Sequence, residues 1–354
     1  CSPHRGKWQR TACPWLTATS GGSSSRHCGL ACGQRGWKAH PAGGESGLGI
    51  SPERLSEYAR PLVEAGHTFN AYPRDLDIQV QIERAREADV IIIANMPLRG
   101  EVIRACKHLK FIDVAFTGVD HVDLDAAREC GVKVSNAAGY STQAVAELAL
   151  CMMLSLLRNV PQVAGRCRQG KTKDGLVGCE LRGKTVGIVG AGAIGTRTAE
   201  LCKAFGCRVL GNKRHLTGKE PSFIEFMPLE ELLSQSDIVS LHCPLTAETR
   251  QLINADRLGM MKQGAYLINT ARGGVVDSAA LAEVLKNGHL AGAGIDVFET
   301  EPPLDPAHPL LQAPNVLATP HVAFASEESM EARAAIVFSN LSNWMDGKQE
   351  NVIL

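Results

Sequence analysis

Neither sign of charge prevails in this chain: 37 Lys plus Arg stand against 37 Asp plus Glu. No global field is therefore available to gather nucleic acid or an anionic membrane surface. Long apolar runs are missing too. The longest lies within Ala144–Leu157, and Glu147 and Ser155 interrupt it, so it is too short and too broken to span a bilayer. A soluble chain is expected. No secretory hydrophobic segment is legible, and the 12 cysteines are read as thiols of a reducing cytoplasm rather than as a disulfide framework. Most fall inside expected helices or strands, where a free cysteine behaves as a small buried hydrophobe. Cys28 and Cys32 form the only close pair and no second pair matches it, so no metal site is expected.

What is present suits an α/β enzyme: 354 residues leave room for two domains, and 35 glycines suit many strand-to-helix turns. Residues 1–50 are unlike the rest. Ser, Gly, Pro, Arg and Cys dominate them, and the Ser20–Ser25 cluster cannot build a core. They are expected to be a disordered leader whose removal (residues 1–46) leaves activity and melting temperature nearly unchanged.

The stretch that organises the chain is Lys184–Gly195. Thr185–Val189 reads as a buried parallel strand, and Gly190, Gly192 and Gly195 then fit G-x-G-x-x-G at the head of a helix from Ala193 to Phe205. Gly190 allows the tight turn, Gly192 lets the backbone approach a pyrophosphate, and Gly195 lets helix pack on strand. The N–H groups of the helix start, at Ala193 and Ile194, face the phosphates together with the positive end of the dipole. A second strand at Cys207–Gly211 completes a dinucleotide-binding unit.

Strands and helices alternate on either side of this stretch, which implies parallel sheets. Ser51-Pro52-Glu53 opens the first helix with an N-cap and Pro at the first helical position. A strand should precede that helix, but only Leu48-Gly49-Ile50 is available, so the first sheet is expected to be an edge short. A helix from Ser141 to about Asn159 is apolar on nearly every side, which suits burial on more than one face. The last helix, Ser326 to about Trp344, has no strand left to cover in the second sheet and should return to the first domain. The expected domains are thus residues 51–157 with 325–354, discontinuous, and a doubly wound nucleotide domain over 158–324. Both are Rossmann-like or flavodoxin-like.

Three ionisable residues follow strand ends, where open α/β sheets place their ligands. Arg272 follows Ala265–Asn269, Glu301 follows Gly292–Val297, and His321 follows Val316–Ala318. Any one alone could be a surface or turn residue; three at the ends of one sheet, beside a dinucleotide fingerprint, point to catalysis. Hydride transfer at a carbinol or carbonyl carbon needs a proton moved on or off the oxygen, which suits histidine. Glu301 on the other ring nitrogen would fix the tautomer and favour the charged ring. Arg272 offers a planar fork to a carboxylate.

With these motifs the sequence resembles the D-isomer-specific 2-hydroxyacid dehydrogenases over roughly residues 51–350. The resemblance rests on the glycine fingerprint, Leu241–Thr246, Asn269–Asp277, Asp296–Pro302 and Thr319-Pro320-His321. It implies Arg272, Glu301 and His321 as the catalytic set, and a substrate-carboxylate loop at Phe116–Asp120, with Thr117, Gly118 and Val119 as contacts. It also implies cofactor contacts from Cys243, Pro244, Thr270, Ala271, Asp296 and His321, with Asp296 orienting the nicotinamide side. A homodimer is implied, with the helix from Ser141 at or near its interface. A pocket wall of Asn95, Met96, Pro97, Leu98 and Tyr140 is expected, but it does not name the 2-oxo acid. A nucleotide-sensing corepressor-like protein of the same fold is the alternative, since such proteins can keep the same three residues.

The cofactor itself is read from the second strand. A carboxylate roughly 20 residues past the fingerprint selects NAD by binding the ribose hydroxyls. No acid occurs from Cys207 to Lys219, and Lys213 and Arg214 stand in its place. A ribose 2′-phosphate carries about two negative charges, and charge-assisted contacts to it are worth roughly 1.5–3 kcal/mol each. NADP(H) is expected to be preferred, or both cofactors used.

Overall fold

A computed structural model describes residues 15–19, 47–300 and 304–354; Cys28, Cys32 and Glu301 lie outside the described residues. The chain divides into two compact units, one formed up to Tyr140 with Ser326–Leu354 and the other by Ser141–Ala325.

The first unit contains, in chain order, β1 (Trp15–Thr19), α1 (Pro52–Glu64), β2 (Thr68–Tyr72), α2 (Ile78–Ala85) and β3 (Val90–Ile93), followed by α3 (Gly100–Ala105), β4 (Phe111–Val114), α4 (Leu124–Glu129) and β5 (Lys133–Asn136). Its sheet has the order β2-β1-β3-β4-β5. β3, β4 and β5 are parallel, and their residues are buried on both faces except at Lys133.

The leader departs from expectation here. β1 lies between β2 and β3 and runs antiparallel to both, with Trp15 opposite Tyr72 and Thr17 opposite Ile91. The sheet is therefore mixed. The vacant position foreseen from the sequence is an interior one, and two facing rows of unpaired backbone groups would flank it if nothing entered. Trp-Leu-Thr-Ala-Thr, rich in strand formers, supplies the partner. Residues 47–50 also belong to the folded unit. Leu48 and Ile50 are buried, and a Cβ at Gly49 would meet the Met330 sulfur at 2.5 Å.

The second unit contains α5 (Thr142–Leu157), α6 (Val160–Arg168), β6 (Thr185–Val189), α7 (Ala193–Ala204), β7 (Arg208–Asn212), β8 (Ile224–Phe226), α8 (Leu229–Gln235) and β9 (Ile238–Leu241), and then α9 (Ala255–Met260), β10 (Tyr266–Asn269), α10 (Ser278–Lys286), β11 (Gly292–Ile295), α11 (Pro309–Gln312) and β12 (Val316–Ala318). All seven strands are parallel in the order β12-β11-β10-β9-β6-β7-β8. This is the doubly wound arrangement, and the order reverses between β6 and β9, where such sheets bind their ligands.

α5, assigned from sequence to the first domain, packs into the second unit, which moves the boundary from 157 to 140. The reason is glycine in β11. A Cβ at Gly294 would meet the Met152 Cβ at 2.9 Å, and one at Gly292 would meet Leu156 at 3.3 Å, so only a strand without side chains there lets α5 lie so close. Ala149, Met152, Met153 and Leu156 share one core with Val186, Ile188, Ala199 and Ile268.

The final helix, α12 (Glu327–Met345), belongs to the first unit. Ser326 opens it with a capping box closed by Ser329. Trp344 stacks on Phe111 at 4.9 Å and Phe338 on Tyr58 at 5.2 Å, each pair worth roughly 0.5–1.5 kcal/mol beyond its buried area. Among the described residues no single helix is long and apolar enough to cross a membrane.

Candidate active site

The fingerprint turn is built by close approach. Gly190 has φ +94°, and a Cβ there would lie 2.6 Å from the Cys243 backbone nitrogen, where the chain leaves β9. Any L side chain is excluded both by the dihedral and by this crossing. A Cβ at Gly195 would collide with the Gly190 carbonyl, so the glycine lets α7 lie against the turn. At Gly192 the same atom would meet nothing within 4 Å. No side chain caps α7, and its first-turn N–H groups, at Ala193, Ile194 and Gly195, have no partner within the helix. A pyrophosphate fits these donors and the open face over Gly192.

Two polar atoms on neighbouring strand ends point the same way. Thr270 is 8% exposed, and its Oγ1 is buried without a hydrogen-bond partner. His242, after β9, gives or takes a 2.9 Å bond between Nε2 and Ser240 Oγ, while its Nδ1 is buried and unpartnered. Burial pushes this imidazole down to about 4. Buried polar atoms without partners are rare, and these two sit at the ends of β9 and β10, on the sheet edge where a cofactor is expected. Cys243, also expected to touch cofactor, is 8% exposed, and burial pushes its thiol up to about 11. Pro244 is exposed, and its carbonyl accepts from Thr249 Oγ1 at 2.5 Å.

The lip beyond β7 differs from expectation. Lys213 and Arg214 are present, but each already has a carboxylate partner. Lys213 Nζ donates to Glu220 at 3.1 Å, and Arg214 pairs with Glu248. Glu220 is the first residue after the acid-free stretch, and the loop folds it back onto the strand end.

The ends of β10, β11 and β12 are tied into one structure. The Asp296 N–H donates to Asn269 O at 2.9 Å, and the His321 N–H donates to Asp296 O at 2.7 Å. Asn269, 1% exposed, folds the next turn. Its Oδ1 accepts from the Ala271 N–H at 3.1 Å and its Nδ2 donates to Arg272 O at 3.0 Å. A Cβ at Gly273 would overlap the Phe298 carbonyl, so glycine there brings the Arg272 turn against the segment after β11. His321 sits at φ +56°, a left-handed conformation uncommon outside glycine. Its ring meets Phe324 edge-on at 5.5 Å.

Asp296 is committed to the structure around His321. It is wholly buried, and both oxygens serve the turn that carries His321. Oδ1 accepts from Thr319 Oγ1 at 2.5 Å and the Val322 N–H at 2.9 Å, and Oδ2 accepts from the Ala323 N–H at 2.9 Å. These bonds make Asp296 a brace for the turn that carries His321.

In the first unit the loop with Thr117, Gly118 and Val119 follows β4, and Asn136 Nδ2 holds it by the Thr117 carbonyl at 2.7 Å. A residue that sequence reasoning missed stands beside it. Arg333 of α12 is 3% exposed, donates to Leu48 O at 3.1 Å and Gly47 O at 3.3 Å, and has its guanidinium 5.4 Å from the Phe116 ring and 5.6 Å from the Tyr140 ring. No local signal marks it, since it lies in the last helix. Of the expected pocket wall, Met96, Leu98 and Tyr140 are buried in the unit's core, and only Asn95 and Pro97 reach its surface.

Comparison with known proteins identifies the relatives of this chain. The family described as D-isomer specific 2-hydroxyacid dehydrogenase, NAD binding domain, matches residues 150–323. Glyoxylate reductase of Korarchaeum cryptofilum is 38% identical over 278 residues, covering 76% of this chain and 83% of that protein. D-3-phosphoglycerate dehydrogenase of Methanocaldococcus jannaschii is 37% identical over 278 residues, 77% of this chain and 53% of that protein, so the chain spans about half the length of this relative. Among solved structures, the TT0316 protein of Thermus thermophilus superposes with a TM-score of 0.78 at 39% identity, covering 84% of this chain and 96% of that one.

Proposed function

The chain belongs to the D-isomer-specific 2-hydroxyacid dehydrogenase family, and from that premise we propose that it interconverts a small D-2-hydroxy acid and its 2-oxo acid. The observation that carries this reading is the linked set of strand ends. Arg272 and His321 leave β10 and β12 on either side of β11, whose Asp296 grips the His321 turn. Neighbouring strands lie about 4.8 Å apart, so both side chains can reach one small substrate.

The bound nicotinamide supplies or takes the hydride. The rest falls to side chains. His321 donates the proton to the 2-oxo oxygen on reduction and takes it back on oxidation. Arg272 binds the substrate carboxylate and polarises the oxo group. By the family resemblance, Glu301 would act through His321. Thr270, Ala271, Cys243 and Pro244 would hold the cofactor, with the fingerprint residues at its pyrophosphate.

Because Lys213 and Arg214 directly follow Asn212 at the end of β7, and the carboxylates that reach them, Glu220 and Glu248, do so as their ion-pair partners, NADP(H) is preferred or both cofactors serve. The same reading takes the protein as a cytoplasmic homodimer with α5 at or near the interface. The test is a steady-state panel of 2-oxo acids, including glyoxylate and hydroxypyruvate, run with NADH and NADPH. Turnover of none of them by pure protein would refute the activity. A kcat/KM for NADH equal to or above that for NADPH would refute the preference.

A further inference from the structure

Asn212 O accepts the Gly190 N–H at 2.9 Å, so Lys213 follows directly from the backbone that shapes the fingerprint turn. The loop after it doubles back and delivers Glu220. Its Oε1 accepts from the Thr217 N–H at 2.7 Å, Thr217 Oγ1 at 3.0 Å and Lys213 Nζ at 3.1 Å, and its Oε2 accepts from the Gly218 N–H at 2.8 Å. Backbone donation from Thr217, more than any other contact, holds this carboxyl down at about 2, so it is charged at every working pH.

The two basic residues of the lip are held very differently. The Arg214–Glu248 side chains are 67% and 60% exposed, and an ion pair so exposed rearranges at little cost. Lys213 and Glu220 are 31% and 10% exposed, and three other donors hold the carboxylate in place. Arg214 can leave its partner when a ligand arrives; Lys213 keeps its partner.

We propose that Glu220 is a positioning residue that sets cofactor selectivity: it fixes Lys213 beside the adenosine ribose while cancelling part of its charge, so that the lip takes either a 2′-hydroxyl or a 2′-phosphate. This rests on Lys213 being the residue that meets that ribose. One of the three ammonium donors serves Glu220 and two are left for a ligand. A phosphate touching the ammonium lies roughly twice as far from the carboxylate behind it, and with energy falling as 1/r the repulsion cancels about half of the attraction.

The experiment is isothermal titration of the full chain with NADP⁺ and NAD⁺, without substrate. The wild type is compared with Glu220→Gln, Lys213→Ala and the double variant. Glutamine removes the charge and keeps one oxygen, which can accept from the Thr217 N–H and hydroxyl, but gives up the oxygen that meets the Gly218 N–H. Glu220→Gln is expected to raise the ratio Kd(NAD⁺)/Kd(NADP⁺) about fivefold through NADP⁺ alone. Lys213→Ala lowers that ratio and abolishes the effect of Glu220→Gln in the double variant. A ratio unchanged in Glu220→Gln but lowered in Lys213→Ala overturns the role of Glu220 and leaves Lys213 as a phosphate contact. A wild-type ratio in Lys213→Ala overturns the reading on which the proposal rests. Should Glu220→Gln not fold, Glu220→Asp draws the charge back by one methylene, and a ratio that does not rise there overturns the proposal equally.

Discussion

Both oxygens of Asp296 are engaged inside the protein, and all three of their partners flank His321. This brace holds His321 at a φ of +56°, a conformation that costs of order 1–3 kcal/mol and survives only where its surroundings impose it. Asp296→Ala strands one hydroxyl and two backbone N–H groups, and each buried donor left unpaired costs roughly 1–3 kcal/mol. Relaxation of the turn should lower kcat more than about tenfold, while NAD(P) affinity stays within about threefold. Steady-state kinetics beside cofactor titration separates the two, and full turnover in this variant would remove the brace from the mechanism. His321→Asn tests the acid/base role directly. Turnover of a 2-oxo acid should fall at least about 10²-fold with cofactor binding intact, and near-normal reduction would end that assignment.

At the level of single strands, two buried groups set opposite limits of pH. His242 at the end of β9 is held at about 4 by burial, below its ordinary value near 6.5. Between those values the unfolded chain binds a proton that the folded chain refuses. Stability from this group is complete above about pH 6.5 and is lost as pH falls toward 4. From pH 7 to pH 5 the loss is about 2 kcal/mol, or roughly 4–8 °C of melting temperature for a unit of this size. Calorimetry of His242→Gln should show a shallower acid slope than the wild type, and identical slopes would exclude His242 as its cause. Asp113 in β4 works the other way. It is wholly buried, with Oδ1 accepting from Asn340 Nδ2 at 3.0 Å and Oδ2 without a partner. Burial raises its carboxyl well above the usual range. The folded state therefore keeps the proton, and stability present at low pH is lost as pH rises through the folded value. Asp113→Asn, which cannot ionise, should melt higher than the wild type at pH 9 and by a smaller margin at pH 5. Equal margins would show that the carboxyl does not titrate.

For the molecule as a whole, the N-terminal strand decides how the first unit closes. β1 pairs with five residues of β2 and three of β3, and its removal leaves both of those edges without the partner seen here. A chain beginning at residue 47 should lose several kcal/mol, at about 1 kcal/mol per backbone bond forfeited. It should give much less soluble folded protein, or melt at least about 5 °C lower. An unchanged melting curve would return residues 1–46 to the status of a dispensable leader, as their composition suggests.

Local chemistry made much of this protein legible. The strand, the three glycines and the helix start at Lys184–Gly195 are contiguous, and the demand for φ > 0 and for backbone clearance at Gly190 is met in the turn itself. Arg272 and His321 were likewise placed by the strands that precede them, because parallel strands deliver their C-terminal ends to one edge. Pairings that depend on how loops and segments fold back could not be read this way. The Phe116–Arg333 contact, the three Asp296 bonds, the hold of Glu220 on Lys213 and the entry of β1 between β2 and β3 each join residues that no period or turn motif relates. α5 shows the same limit within one element. Its apolar surface marked it for burial, but glycines at 292 and 294, far along the chain, decided which sheet it covers. Periodicity and turn chemistry depend on neighbours in sequence, whereas charge pairing and close packing depend on which surfaces folding brings together.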